Sequence, residues 1–186
     1  MARSSVKASK SETLTIRLDP KTRFVLEYLS RLKGQTITTV VERAIVQAAT
    51  AEKIEHADDP RDEQNWQDFW DVSEGARAIK IARRSEFFPT FEEEKRVAFC
   101  EEHWPFFFIN SNKRIFRYPY LDILWPRIDD FITLHDMAKT SSGASYWAAG
   151  EAMQEALGQA GIKPPAWPQG TSAKNAKPDL DDEIPF

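Results

Sequence analysis

The chain has 186 residues, 41% hydrophobic and 12% aromatic, which is enough for a packed core in one or two domains. No apolar run approaches a membrane span, and the single cysteine, Cys100, excludes an internal disulfide and fits a cytosolic setting. The formal charge of −4 and pI of about 5.5 argue against indiscriminate coating of nucleic acid, but the charge is unevenly placed. Residues 1–55 hold ten Lys/Arg against six Asp/Glu, residues 56–177 fifteen against nineteen, and the last nine residues four acids and no base. Two copies of the N-terminal region brought together would present a positive surface suited to a polyanion.

Residues 1–11 are polar and basic and are expected to form a flexible arm, with no apolar signal core. Alternation follows. Leu14, Ile16 and Leu18 are apolar, and Thr13, Thr15 and Arg17 lie between them. Successive side chains of a strand point to opposite faces, so one face can bury three aliphatics while the other presents Thr, Thr and Arg. Asp19-Pro20 stops the strand and can open a helix, with Asp19 as N-cap and Pro20 in the first helical position. Phe24, Val25, Tyr28, Leu29 and Leu32 recur at helical spacing, and Gly34 supplies a stop. Thr36 can cap a second helix with the apolar set Ile37, Val40, Val41, Ala44, Ile45, Ala48 and Ala49, although Thr36–Val41 taken alone favours a strand. Ala51–Glu55 is expected to extend that helix.

This strand–helix–helix order, over about residues 12–50 of a unit expected to span 12–55, resembles the ribbon-helix-helix DNA-binding family. The resemblance rests on L-T-I-R-L, on the D-P helix start, and on G-Q-T-I-T-T before an amphipathic helix. It implies an intertwined homodimer whose paired strands lie in the major groove of double-stranded DNA. Thr13, Thr15 and Arg17 would then face the bases, and Thr36 and Thr38 would meet phosphate at the start of the second helix. A dimer is also expected on physical grounds. One short strand and two helices cannot bury their own apolar faces, and a lone strand leaves its backbone groups unpaired.

Residues 56–65, rich in Asp and with one Pro, read as an acidic linker. Residues 66–162 form a second, α-rich or α+β domain of unassigned role. Trp66–Arg84 is expected to be one helix carrying Arg77, Lys80, Arg83 and Arg84, a basic cluster for DNA or solvent. Thr90-Phe-Glu-Glu93 is a capping box and predicts a helix to about His103. Pro105–Ile109 and Ile115–Tyr118 are β-prone runs with a hairpin loop at Asn110–Arg114 between them. Tyr120–Trp125 suits either a strand or a helix. Ile128, Phe131, Ile132 and His135 are helically spaced, and Ser145 is expected to cap a last helix ending at Gly158 or Gly161. Cys100 and His103 are expected to be a buried thiol beside a surface histidine. Two such ligands do not make a metal centre, and no metal, cofactor or enzymatic motif is expected. Glu92, Glu93, Glu94, Glu101 and Glu102 could hold Mg²⁺ with Asp129 and Asp130, but they are expected to be solvated helix faces.

Residues 163–186 are expected to form a disordered tail. It ends Asp181-Asp182-Glu183-Ile184-Pro185-Phe186. This resembles the D-D-D-I-P-F tip of bacterial single-stranded DNA-binding proteins, with Glu183 replacing the third Asp. The resemblance implies capture of the terminal carboxylate and the Phe186 ring by replication, repair or recombination proteins, with the acidic residues meeting a basic rim. Taken together, the sequence predicts a mainly α, cytoplasmic, nucleoid-associated bacterial protein with three parts: a dimeric DNA-binding unit, an aromatic domain and a recruiting tip. A mobile-element setting would fit such an adaptor. The alternative is a ribbon-helix-helix autorepressor or antitoxin that binds a toxin through its C-terminal region.

Overall fold

The computed structural model describes residues 13–55, 63–140 and 147–168. It is mainly helical, and the chain divides into two units, Met1–Asn65 and Trp66–Phe186. Within the described residues, no helix is long and apolar enough to cross a membrane.

In the first unit, α1 (Pro20–Lys33) and α2 (Ile37–Ala51) form a packed pair. The second helix stops at Ala51 rather than running on to Glu55. Ile54 and Glu55 (β1) pair antiparallel with Gln64 and Glu63 (β2), and Lys53 meets Glu63 at 2.8 Å. Part of the expected acidic linker is therefore a short clasp.

The second unit begins with α3 (Trp66–Phe69) and α4 (Glu74–Ala82), two helices where periodicity predicts one. Side-chain chemistry causes the break. Asp71 accepts the Ser73 N–H at 3.1 Å, and Ser73 caps α4 through Ala76 N–H while donating to Asp122 at 2.5 Å. As predicted, Thr90 opens α5 (Phe91–Glu102) with a reciprocal capping box to Glu93. His103 closes α5, its N–H bonding to Phe99 O, and α6 (Trp104–Phe107) follows at once.

The expected strand at Pro105–Ile109 is not formed. Phe106, Phe107 and Phe108 are all fully buried, and three consecutive buried side chains do not suit a strand with one wet face. A helical turn carries Phe106 and Phe107, and Phe108 follows it in an extended conformation. Phe108 makes one isolated bridge with Phe116, and Ile109 N–H reaches Ile115 O at 2.9 Å, so the loop at 110–114 does connect a minimal hairpin. Tyr118 lies not in a strand but at the start of α7 (Tyr118–Leu124), which turns through Trp125–Arg127 into α8 (Ile128–Thr140). The last helix described is α9 (Ala148–Gln159), and the expected cap Ser145 lies outside the described residues.

The core gathers Ile79, Phe99, Cys100, the three phenylalanines, Leu121, Leu124, Phe131, Met153 and Leu157. Helix α9 packs on α7 and α8, α4 on α5 and α7, and α5 on α8. Two sequence expectations change here. His103 is no surface residue: it is 3% exposed, stacked on Phe99 at 4.3 Å and donating from Nδ1 to Phe99 O at 3.1 Å. The segment Lys163–Pro168, assigned by composition to a disordered tail, is tied to the core. Tyr120 Oη donates to Lys163 O, Gln154 Nε2 donates to Pro165 O, and the Trp167 ring lies on His103, Phe106 and Trp147. Gly150 makes that docking possible, because a Cβ there would overlap the Trp167 indole.

Two predictions follow from this packing. Gly150→Ala should expel Trp167 and destabilise the protein by ~1–3 kcal/mol in denaturant unfolding, with a red-shifted tryptophan emission. The second concerns pH. Burial pushes the His103 pKa down to about 4 from an ordinary 6.5. Between those values the unfolded chain holds a proton that the folded one refuses, so stability rises with pH across this window. Lowering the pH from 6.5 to 4 should remove roughly 3 kcal/mol. His103→Phe should flatten that slope in unfolding curves measured at several pH values.

Candidate nucleic-acid interface

The first unit is built on local caps that the sequence announces. Asp19 Oδ1 accepts the Lys21 and Thr22 N–H groups at 2.9 and 3.1 Å, and the Thr22 hydroxyl donates to Oδ2 at 2.5 Å. The Thr22 hydroxyl, then the Thr22 N–H, hold the Asp19 carboxyl below its ordinary range. Pro20 occupies the first helical position, where its missing N–H costs nothing. At the other end Gly34 has φ +60, a conformation that glycine adopts without a Cβ penalty. Its N–H reaches Arg31 O, Gln35 N–H reaches Ser30 O, and Ser30 Oγ returns to Gln35 O at 2.5 Å. Thr36 then caps α2 by accepting the Thr39 N–H at 3.1 Å. The path of the chain from 19 to 51 is thus set by hydrogen bonds within a few residues of each corner.

These caps do not supply a core. Across residues 13–51, Val40 is the one buried residue. Leu14 is 77% exposed, Leu32 67%, Phe24 66% and Ile45 58%, and Ile16, Leu18, Tyr28, Ile37 and Val46 are also exposed. Ile16 and Leu18 border a shallow groove with Leu26 and Ile37, where the extended segment meets both helices. Thr13–Leu18 makes no backbone hydrogen bond among the described residues and forms no strand within one chain. The expected strand thus lacks a partner to pair with, not an alternating pattern.

Thr13, Thr15 and Arg17 are all exposed on that segment, at alternate positions to Leu14, Ile16 and Leu18. Thr36 and Thr38 are exposed at the start of α2. They are not equivalent: Thr36 Oγ1 is committed to the cap and lies 2.9 Å from Thr39 Oγ1, so Thr38 is the better placed of the two to meet an outside anion. Asp181, Asp182, Glu183, Ile184, Pro185 and Phe186 lie outside the described residues.

The basic cluster of the second unit is engaged internally. Arg77 donates to the carbonyls of Asp71 and Val72 and lies over the Trp70 ring, and Lys80 pairs with Asp71 at 3.1 Å. Arg83 grips Glu101 with two nitrogens, donates to Lys113 O and covers Phe108, while Arg84 pairs with Glu86. These cations are engaged within the fold. The acidic helix faces are likewise partnered: Arg96 forks onto Asp129 at 2.8 Å, Lys95 meets Asp136 and Arg127 meets Asp130.

The apolar groove beside Ile16 and Leu18 was not separately legible from sequence, because it depends on where the extended segment lies against both helices. Comparison with protein-family models, with curated proteins and with solved structures finds no match to this chain.

Proposed function

We propose that this protein is a homodimeric DNA-binding protein of the ribbon-helix-helix kind, and that its C-terminal tip recruits proteins of DNA replication, repair or recombination. The observation carrying the first part is the state of residues 13–51: an extended segment with no backbone partner, an exposed row of Leu14, Ile16 and Leu18, and a helix pair with a single buried residue. A second copy answers each of these needs. Antiparallel pairing of the two Thr13–Leu18 segments satisfies their N–H and C=O groups. The aliphatic face then closes onto α1 and α2 of both copies.

Fully burying a Leu, Ile or Phe side chain contributes roughly 1.5–3 kcal/mol. Six of them give on the order of 10 kcal/mol, comparable with the cost of immobilising two chains. The opposite face of the ribbon carries Thr13, Thr15 and Arg17 from each copy. Arginine forks onto guanine O6 and N7, and threonine offers a hydroxyl and a methyl to base edges. Thr38 and the free N–H groups opening α2 meet phosphate and set the register.

The second part rests on the sequence of the last six residues. Phe186 would fill an apolar pocket of the partner while Asp181, Asp182 and Glu183 meet its basic rim.

Light scattering after gel filtration should give a dimer mass for the intact protein, and Ile16→Lys should give a monomer that binds no DNA. Arg17→Ala should stay dimeric and lose ~1–3 kcal/mol at a site selected from random duplexes. A monomeric intact protein, or unchanged affinity in Arg17→Ala, would sink the ribbon reading. For the tip, intact protein and a chain lacking Ile184–Phe186 should be compared as baits in bacterial extract. Replication and repair proteins are expected on the intact bait alone, and identical captures would remove the recruiting role.

A further inference from the structure

Three ionisable side chains converge in the second unit, away from the proposed DNA interface and unused by it. Glu102 ends α5, His103 is its C-cap, and His135 projects from α8. His135 Nε2 lies 3.1 Å from Glu102 Oε2, and one ligand atom from each of the three residues falls within 4.8 Å of the other two. Around a divalent ion with bonds of ~2.0–2.2 Å, neighbouring ligand atoms stand roughly 3–3.5 Å apart. One edge already has that length. The others are at most 4.8 Å and close by up to about 1.3–1.8 Å: the rotamer freedom of the half-exposed Glu102 shortens its edge to His103, and the His135 ring must turn to shorten the edge between the imidazoles.

The surroundings prepare the histidines for a ligand role. His103 Nδ1 faces the carbonyl of Phe99 at 3.1 Å. A carbonyl accepts, so Nδ1 carries the proton and Nε2 keeps the lone pair. This is the outer-shell contact that orients metal-binding histidines. The His103 ring is held between Phe99 at 4.3 Å and Trp167 at 4.9 Å, and His135 stands edge-on to it at 5.0 Å. Both histidines are buried, and Glu102 opens the cluster to solvent. The C-terminal end of the twelve-residue α5 adds the negative end of its dipole. Lys139 Nζ, 3.7 Å from Glu102 Oε2, is the competing cation, and its exposed, flexible stem lets an incoming ion displace it.

We propose that Glu102, His103 and His135 bind a borderline divalent transition-metal ion, Zn²⁺ foremost, with a coordination position left open for water. Two imidazoles and one carboxylate favour Zn²⁺, Co²⁺ or Ni²⁺ over Mg²⁺ or Ca²⁺, which prefer oxygen. A bound ion would clip the end of α5 to α8. It would replace the 3.1 Å contact between His135 Nε2 and Glu102 Oε2.

The test uses untagged, full-length protein freed of metal with a chelator. Co²⁺ titration should reach one ion per chain, with the visible absorption of low-coordinate cobalt and quenching of emission from the adjacent Trp167. Zn²⁺ should displace the cobalt and raise the Tm, and Mg²⁺ should do neither. Glu102→Gln keeps the shape of the side chain and should fold as the intact protein does, shown by an unchanged metal-free circular dichroism spectrum. It should weaken Co²⁺ and Zn²⁺ at least tenfold. His135→Asn, checked for folding in the same way, should do likewise, and His56→Ala should change nothing. Equal affinity in the intact and Glu102→Gln proteins, no saturable binding, or loss of binding in His56→Ala would overturn the proposal. Each readout is independent of DNA binding, so its failure leaves the ribbon proposal standing.

Discussion

One buried valine cannot hold a helix pair together, and the N-terminal unit is organised by what it leaves uncovered. Its corners are firmly set: Asp19, Gly34 and Thr36 satisfy the helix ends with hydrogen bonds that close within a few residues. Its faces are not, since the aliphatics of the extended segment and the aromatics of α1 remain in water. Caps contribute direction and on the order of 1 kcal/mol each, whereas the apolar faces hold the larger share of the available free energy. A unit with complete corners and an open core is poised to finish folding against a second surface. In the proposed dimer, the alternation of Leu14, Ile16 and Leu18 with Thr13, Thr15 and Arg17 would bury one face and present the other.

The second unit solves the opposite problem. Its core is largely aromatic, and short helices and turns bring those rings together. Phe106 and Phe107 are buried from one helical turn, Phe108 from the extended residue after it, and Trp167 covers His103 and Phe106. That closure requires a glycine at 150, because the indole occupies the space of a side chain there. The same closure removes His103 from water and leaves it neutral, which costs stability as the pH falls but yields a rigid imidazole with an available lone pair.

Features written within a few residues were legible from sequence. Asp19-Pro20, Gly34, Thr36 and the Thr90–Glu93 box all lie where cap chemistry puts them, since donors and acceptors there are close neighbours along the chain. What escaped depends on distant partners. The break between α3 and α4 uses an Asp71 turn and a Ser73 hydroxyl shared with Asp122, which periodicity around Trp66 and Ile79 does not reveal. Pro105–Ile109 has strand composition, but burial from all sides overrides propensity. Lys163–Pro168 has tail composition and is held by Tyr120, Gln154 and the contacts of Trp167. The approach of Glu102, His103 and His135 joins two helices, and no local pattern announces it.

The distribution of charge bears on how the proposed DNA binding would work. Each chain is formally −4, and its basic excess is confined to residues 1–55. In the second unit Arg77, Lys80, Arg83 and Arg84 are bound to acids, carbonyls and rings. Electrostatic attraction to phosphate therefore has a narrow source, while the rest of the protein and its acidic end oppose close approach to any polyanion. A protein arranged in this way gains little from non-specific binding, whose strength comes almost wholly from phosphate neutralisation. Under the proposed DNA binding, its affinity would have to come from contacts that only some sequences allow, at the base edges assigned to Arg17 and the two threonines. The acidic body would then lower affinity for all DNA alike and leave the difference between sites unchanged, so discrimination would rest on the base contacts alone.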